Sequence, residues 1–327
     1  MAGKDSIRFD WVEVFKGGSV KGEEEPRYLV NDDLRAAVRV AMALDKPLLL
    51  MGEPGTGKTQ LAYKLAADLF AVREKVGKND FRKQPLRFNC KSSSEWKDIL
   101  YHYDAVRRFH DAHEKKEGED INVWKYIRPV ALGKAIALSN RRDEVVEKFL
   151  SAGGEVKVSG SMGSVVLIDE IDKAPKDFAN ALLDVLEEGN RSFRVEEAGE
   201  DVRMGSDARI VVLITSNGER PLPPAFLRRC VFYHIPFPSE DELMKIVELH
   251  FGEEKDSRLI RRFVSYREQV KMHKPATSAL LEWLRVLEML DIKEEDFWDK
   301  EKANKWKRSF AVLAKTHKAF AKLVEDS

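Results

Sequence analysis

Pro47-Leu-Leu-Leu-Met-Gly-Glu-Pro-Gly-Thr-Gly-Lys-Thr-Gln60 is the stretch on which the reading of the chain turns. Its short apolar run, Leu48 to Met51, has the composition of a buried parallel strand. A glycine-rich bend follows, and then an amphipathic helix. Gly52, Gly57, Lys58 and Thr59 fill the spacing G-x-x-x-x-G-K-[ST]. Glycines there let backbone N–H groups turn inward and approach phosphate oxygens that a side chain would block. A helix opening at Lys58 aims its unsatisfied N–H groups and positive dipole end at the same anion. Lys58 adds a mobile charge toward the β- and γ-phosphates, and the Thr59 hydroxyl can ligate Mg²⁺. An ordinary Gly/Pro turn is the alternative; a strand before and a helix after distinguish the two.

At 327 residues the chain has room for one large domain with an appendage, or for two domains. An apolar content of 43% suffices for a sizeable core. The 56 basic and 56 acidic side chains cancel, which argues against nucleic-acid binding by bulk charge while leaving local patches open. Cys90 and Cys230 form no C-x-x-C pair, so neither a disulfide framework nor a zinc site is expected, and both read as small core fillers at strand ends. The first residues, Met1-Ala-Gly-Lys-Asp-Ser, have no signal-peptide character, and no apolar run approaches a membrane span. A cytoplasmic protein with no membrane association is expected.

Working outward, residues 1–27 read as a surface arm. Asn31 can cap a helix whose inner face is Leu34, Ala37, Val38, Ala41 and Leu44, and Leu61, Leu65 and Leu69 mark the inner face of the helix after the bend. A charged stretch, Arg73 to Lys83, precedes a strand at Leu86 to Cys90. The pattern predicts a helix from Ser92 to about His113, with Ile99, Tyr103, Val106 and His110 on one face. Ala131 to Ser139 is a short helix, and 140–163 has no clear period, as an insertion or mobile connection would. Ser164-Val-Val-Leu-Ile-Asp-Glu170 is a second buried strand, followed by a helix from about Lys176 to Glu188 with Phe178, Leu182, Val185 and Leu186 inward. A hairpin around Gly199, a strand from Arg209 to Asn217 and a last strand from Val231 to Ile235 complete an α/β domain over 28–238. From 239 to 327 the pattern is helical alone. It opens with a capping box at Ser239 and Glu242 ahead of Leu243, Ile246 and Val247, and continues at 257–270, 278–290 and 303–323.

Chemistry concentrates at strand ends. An Asp at position 169 can hold Mg²⁺ indirectly or through water, and Glu170 beside it can polarise a water for attack on a γ-phosphate. Asn217 stands where a side-chain amide could orient the same water, or could simply initiate the turn at Gly218. Arg228-Arg229 precede the last strand, and a guanidinium there could reach the γ-phosphate held by a neighbouring subunit; exposed surface arginines are the competing reading.

Gly52-Glu-Pro-Gly-Thr-Gly-Lys-Thr59, Val166-Leu-Ile-Asp-Glu-Ile-Asp-Lys-Ala-Pro175, Thr215-Ser-Asn217 and Pro224-Ala-Phe-Leu-Arg-Arg229 together resemble Walker A, Walker B, sensor 1 and the arginine finger of AAA+ ATPases. The Glu-Pro in the bend, the Asp-Lys-Ala-Pro after Walker B, the insertion after the second strand and the hairpin before sensor 1 resemble the MoxR branch. The resemblance spans about 28–290. It implies a five-stranded parallel sheet ordered 5-1-4-3-2 with a C-terminal α-helical lid, ATP and Mg²⁺ as cofactors, and a homo-oligomeric ring, usually hexameric. It further implies chaperone-like remodelling of a protein partner, often one bearing a von Willebrand factor A domain. On this resemblance Glu53, Pro54, Gly55, Thr56, Gly57, Lys58, Thr59 and Gln60 bind the nucleotide, and Thr59 and Asp169 the metal. Glu170, Asn217 and Arg229 act in hydrolysis, with Arg228 the second choice for the finger. One departure stands out: the sensor 2 arginine expected near the start of a lid helix falls at Ser278, leaving Lys274 as a substitute or an exposed lysine.

Other features carry less. The cluster Trp96, Tyr101, His102 and Tyr103 could line a pore, but aromatics at helical spacing favour packing. The basic segment containing Lys300, Lys302, Lys305, Trp306, Lys307, Arg308, Phe310, Lys315 and Lys318 could dock nucleic acid or an acidic partner, though a solvated amphipathic helix explains it as well. No metal beyond Mg²⁺ is indicated. Two rivals to the remodelling ATPase remain. One is a nucleic-acid motor, possibly using GTP, which neutral charge disfavours; the other is a nucleotide-gated switch with little turnover, which Glu170 disfavours.

Overall fold

A computed structural model describes residues 26–76, 80–114, 122–140, 143–152, 160–186, 191–206, 208–252, 255–270, 274–292, 296, 307–314, 316–317, 320–321 and 323. The chain divides into two compact units: one holds Val30–Met51 and Thr59–His234, the other Arg27–Leu29, Gly52–Lys58 and Ile235–Ser327.

The first unit is built on strands β1 (Leu48–Met51), β2 (Asp80–Phe81), β3 (Leu86–Asn89), β4 (Tyr101–Tyr103), β5 (Ile127–Pro129), β6 (Met162–Asp169), β7 (Ser192–Val195), β8 (Glu200–Arg203), β9 (Ile210–Ser216) and β10 (Val231–His234). Its helices are α1 (Asp32–Ala43), α2 (Lys58–Val76), α3 (Ala105–Glu114), α4 (Ala131–Ser139), α5 (Glu144–Ala152), α6 (Lys176–Leu186) and α7 (Pro224–Arg229). The main sheet runs β10-β1-β9-β6, with β2 and β3 both pairing β6 and every pairing parallel. β6 and β9 are buried at every residue, as unbroken apolar runs require when both faces of a parallel sheet are covered. Register aligns the carboxyl ends: Met51 lies beside Ser216 and His234, and Asn89 beside Asp169. In open parallel sheets that end is where ligands bind.

Local signals set the flanking helices. The Asn31 side chain accepts from the Leu34 N–H and caps α1, whose buried residues are Leu34, Val38, Ala41 and Met42. Leu44, expected on the inner face, is exposed, because α1 ends at Ala43 and Leu44 is already its C-cap. Leu61, Leu65 and Leu69 of α2 are fully buried, and Phe178, Leu182, Val185 and Leu186 of α6 are buried.

Three stretches differ from the expectation. The helix predicted over 92–113 is broken into a 3₁₀ turn at Trp96–Ile99, the strand β4, and α3. Ile99 is 1% exposed while Val106 is 69% exposed, so they share no helix face. Two caps divide the segment: Glu95 and Asp98 form a capping box, and Asp104 Oδ1 accepts from Arg107 N at 2.9 Å to start α3. Between the caps, Tyr101-His-Tyr suits a pleated surface, and β4 pairs antiparallel with β5. Tyr101 is buried against the rings of Phe149 and Phe193, whereas Trp96 is partly exposed. The second difference is α5, inside the stretch read as unpatterned; Asp143 caps it, and Val146, Phe149 and Leu150 are buried. The third is β2, a two-residue strand within the stretch read only as charged. The hairpin expected around Gly199 is present as β7 and β8.

In the second unit α8 (Glu240–Phe251), α9 (Ser257–Gln269) and α10 (Thr277–Met289) pack around Leu243, Phe263, Leu280 and Trp283. Ser239 and Glu242 form the capping box of α8, and Gly252 ends it in the left-handed conformation. Trp283 donates to Ser309 Oγ at 2.9 Å, so its indole N–H is satisfied inside that core. The arm at 1–27 lies outside the described residues apart from Pro26 and Arg27, as do Lys300, Lys302, Lys305, Trp306, Lys315 and Lys318 of the basic segment. Among the described residues no helix is long and apolar enough to cross a membrane.

Candidate functional site

In the first unit, Asp169 closes β6 with only 5% of its surface exposed. A carboxylate so placed must find donors inside the protein. Thr59, the second residue of α2, has its hydroxyl 3.1 and 3.3 Å from the two oxygens of Asp169. The Thr215 hydroxyl donates to Oδ1 at 2.5 Å and accepts from the Glu170 N–H at 2.9 Å, and Arg87 Nη2 reaches Oδ2 at 2.6 Å. The sheet register thus converts three separated segments into one shell around a single acid. A hydroxyl and a carboxylate at this distance form a hard-oxygen pair of the kind that suits Mg²⁺.

Glu170 adopts φ 58°, the left-handed region that a non-glycine residue enters rarely. Its carboxylate meets Lys173 Nζ at 2.7 Å, and that hydrogen bond raises the Lys173 pKa. Asp172 is buried, and its Oδ2 accepts from the backbone N–H groups of Asn217 (3.1 Å) and Glu219 (2.9 Å). It therefore fixes the turn on which half-buried Asn217 stands. The same acids reach Cys90, whose thiol is pushed up to about 12, chiefly by burial and then by the charges of Asp169, Asp172 and Glu170.

Gly52–Lys58 belongs to the second unit. Lys58 is buried, and its ammonium donates to the carbonyls of Gly52 and Glu53, each at 2.8 Å. The Thr56 hydroxyl donates to the same Glu53 carbonyl at 2.9 Å. Gly55 and Gly57 have φ 77° and 90°, and a Cβ on Gly57 would stand 2.7 Å from the Tyr28 ring. A Cβ on Gly55 would meet Ala276 at 2.4 Å and the Ser278 hydroxyl at 3.1 Å, so the residue at the expected sensor 2 position neighbours the bend. Glu53, Pro54 and Gly55 are exposed. The Glu53 carboxylate pairs with Arg267 of α9.

The remaining expected residues are exposed. Arg228 and Arg229, at the end of α7, are exposed and enter no hydrogen bond or ion pair among the described residues. Gln60 and Lys274 are exposed as well. Three contributors went unread in the sequence. Arg87 and Arg267 meet their carboxylates across 82 and 214 residues of chain, and no local pattern announces such pairs. Thr215 stood inside a quoted motif, but its link to Asp169 depends on strand register. No group of three or more His, Cys, Asp and Glu among the described residues is placed to hold a metal ion.

Comparison with known proteins follows the same outline. The peroxisomal Lon protease homolog 2 of Arabidopsis thaliana is 33% identical over 100 residues, which cover 29% of this chain but 11% of that protein. Residues 47–230, from the apolar run before the glycine bend to the residue before β10, match the AAA domain, dynein-related subfamily. With more than half of its length in that match and its acids, hydroxyls and lysine disposed as described, the chain belongs to the AAA domain family, dynein-related subfamily.

Proposed function

We propose that the chain is a Mg²⁺-dependent ATPase of the MoxR branch that assembles into a ring and remodels a protein partner. The observation that carries the ATPase reading is the contact of the Thr59 hydroxyl with Asp169 at 3.1 Å, which joins the first turn of α2 to the end of β6 across 110 residues. Thr59 and Asp169 would hold the metal, and hydrogen bonds from Arg87 and Thr215 keep the Asp169 carboxylate aimed. Lys58 exchanges the carbonyls of Gly52 and Glu53 for phosphate oxygens, with the glycine bend supplying N–H donors. Bound Mg²⁺ and triphosphate supply the electrophilic phosphorus and part of the charge neutralisation at it. Glu170 takes the proton of the attacking water once Lys173 releases it, and Asn217 orients that water on a turn held by Asp172. Arg229, exposed and unpaired among the described residues, is offered to the site of a neighbouring copy, with Arg228 as second choice.

Phosphate release and mass by light scattering, measured on the full chain with Mg²⁺ and ATP, test this reading. Magnesium-dependent release, lost in Glu170→Gln, together with nucleotide-dependent assembly supports it. A chain that stays monomeric and releases no phosphate overturns it. The Glu170→Gln variant also serves as a trap: capture of a partner with a von Willebrand factor A domain supports remodelling, and capture of DNA alone replaces it with a nucleic-acid motor. One contact favours a second reading, the nucleotide-gated switch: the Glu170 carboxylate is engaged by Lys173 at 2.7 Å, as expected of a slow basal enzyme. An unchanged rate in Glu170→Gln would select it.

A further inference from the structure

Arg267 of α9 is a buried cation. Its side chain is 8% exposed, its guanidinium lies 3.6 Å from the centroid of the Phe237 ring, and Nη1 donates to the Pro275 carbonyl at 2.6 Å. These contacts fix the fork in orientation but leave its charge uncompensated. The carboxylate that answers it is Glu53, whose side chain is 53% exposed and which opens the glycine bend. Burial of an arginine demands a partner, whereas an exposed glutamate demands none. Glu53 is also the residue whose carbonyl receives both the Lys58 ammonium and the Thr56 hydroxyl. The helical unit therefore grips the bend at the residue on which the phosphate lysine rests.

We infer that Arg267, acting through Glu53, is a positioning residue that holds the glycine bend in its anion-receiving conformation. The inference rests on the nucleotide reading above and adds a device to it. Glycine-rich backbone has more freedom to lose on binding than any other, and a fixed point at the start of the bend removes part of that cost before the ligand arrives. Arginine suits the task because its planar fork can serve Glu53, the Pro275 carbonyl and the Phe237 face together, which a lysine cannot. The expected sensor 2 position holds Ser278 instead of arginine, so the guanidinium that the helical unit offers this bend acts on the loop's own carboxylate.

The test uses the full chain with Mg²⁺ and a fluorescent ATP analogue, and compares Glu53→Gln, Arg267→Met, Arg267→Lys and the double variant Glu53→Gln/Arg267→Met. Glu53→Gln raises Kd and KM about tenfold, the typical weight of a charge-assisted hydrogen bond, with kcat changed less than about twofold. Arg267→Met matches it, the double variant adds nothing further, and Arg267→Lys recovers only part of the affinity. Glu53→Gln keeps an acceptor oxygen for the Arg267 fork, so this variant folds even if Arg267→Met does not. Wild-type affinity in Glu53→Gln, with Arg267→Met merely melting earlier, overturns the inference and leaves Arg267 a packed cation. Failure of the wild-type chain to bind the analogue at all overturns the nucleotide reading, and this inference with it.

Discussion

Two sets of charged residues in the first unit end their elements under opposite conditions. Asp169, at the end of β6, is buried and takes hydrogen bonds from Thr59, Thr215 and Arg87. Arg228 and Arg229, at the end of α7, are exposed and have no partner among the described residues. The acid had to be satisfied by its own chain, since a buried carboxyl group without hydrogen-bond partners is untenable. Water satisfies the arginines, so their charge can be redirected to an external anion at little cost. On the function proposed above, the acid belongs to a device completed within one chain, and the arginines to one that a second molecule would complete.

The sharpest way to break this contrast is Arg229→Ala. Phosphate release should fall about 10³-fold, the lower range for an arginine supplied in trans, with an unchanged melting temperature. Mixing this variant with Lys58→Ala should restore part of the rate, because some interfaces then pair an intact nucleotide site with an intact Arg229. No recovery on mixing would place the arginine in its own chain's chemistry, or in none. Asp172→Ala probes the buried side: the N–H groups of Asn217 and Glu219 lose their acceptor, and unfolding should become easier by about 2–4 kcal/mol. Chemical denaturation measures that loss, and a cost below 1 kcal/mol would show that water replaces the carboxylate.

Lys173→Ala should leave the melting temperature essentially unchanged, since both partners of its ion pair are well exposed. The basal hydrolysis rate should nevertheless rise as Glu170 is released; an equal or lower rate would remove the restraint assigned to Lys173. The smallest effect concerns Cys90, a reporter of the acids' field. Its thiol is neutral when protonated and is pushed up to about 12 in the folded chain, mainly by burial. The folded state therefore retains a proton that the unfolded thiol loses near pH 8.5. Its contribution to stability is complete below that pH and declines as pH rises toward 12. Asp169→Asn should lower this thiol's pKa and quicken its alkylation at pH 9, whereas Cys230, whose shift owes nothing to these acids, should be unaffected.

Legibility in the sequence followed the range of each interaction. The glycine bend, the capping box at Ser239 and the leucines of α2 are written in adjacent turns of chain and could be read directly. Strands β6 and β9 announced themselves because a strand covered on both faces needs no alternation, only an unbroken apolar run. The segment over 92–113 misled because its apolar residues fit a helical period by count, while two short acidic caps, at Glu95–Asp98 and Asp104, reset the backbone inside it. α5 went unseen because a single turn of buried residues, Val146, Phe149 and Leu150, is too short to establish a period. Within the site, Thr59 and Asp169 were recognisable from motif spacing, but Arg87 and Arg267 carry no signal until the chain is folded.

The backbone of Glu170 has an evolutionary implication. A left-handed torsion costs an ordinary residue roughly 1–2 kcal/mol, and here the N–H of that residue is held by the Thr215 hydroxyl. Glycine would relax the torsion, so a library screened for heat resistance should enrich Gly at 170, while one screened for turnover should exclude it. Opposed selection at a single codon is the signature of a residue kept for its chemistry against the preference of its own peptide.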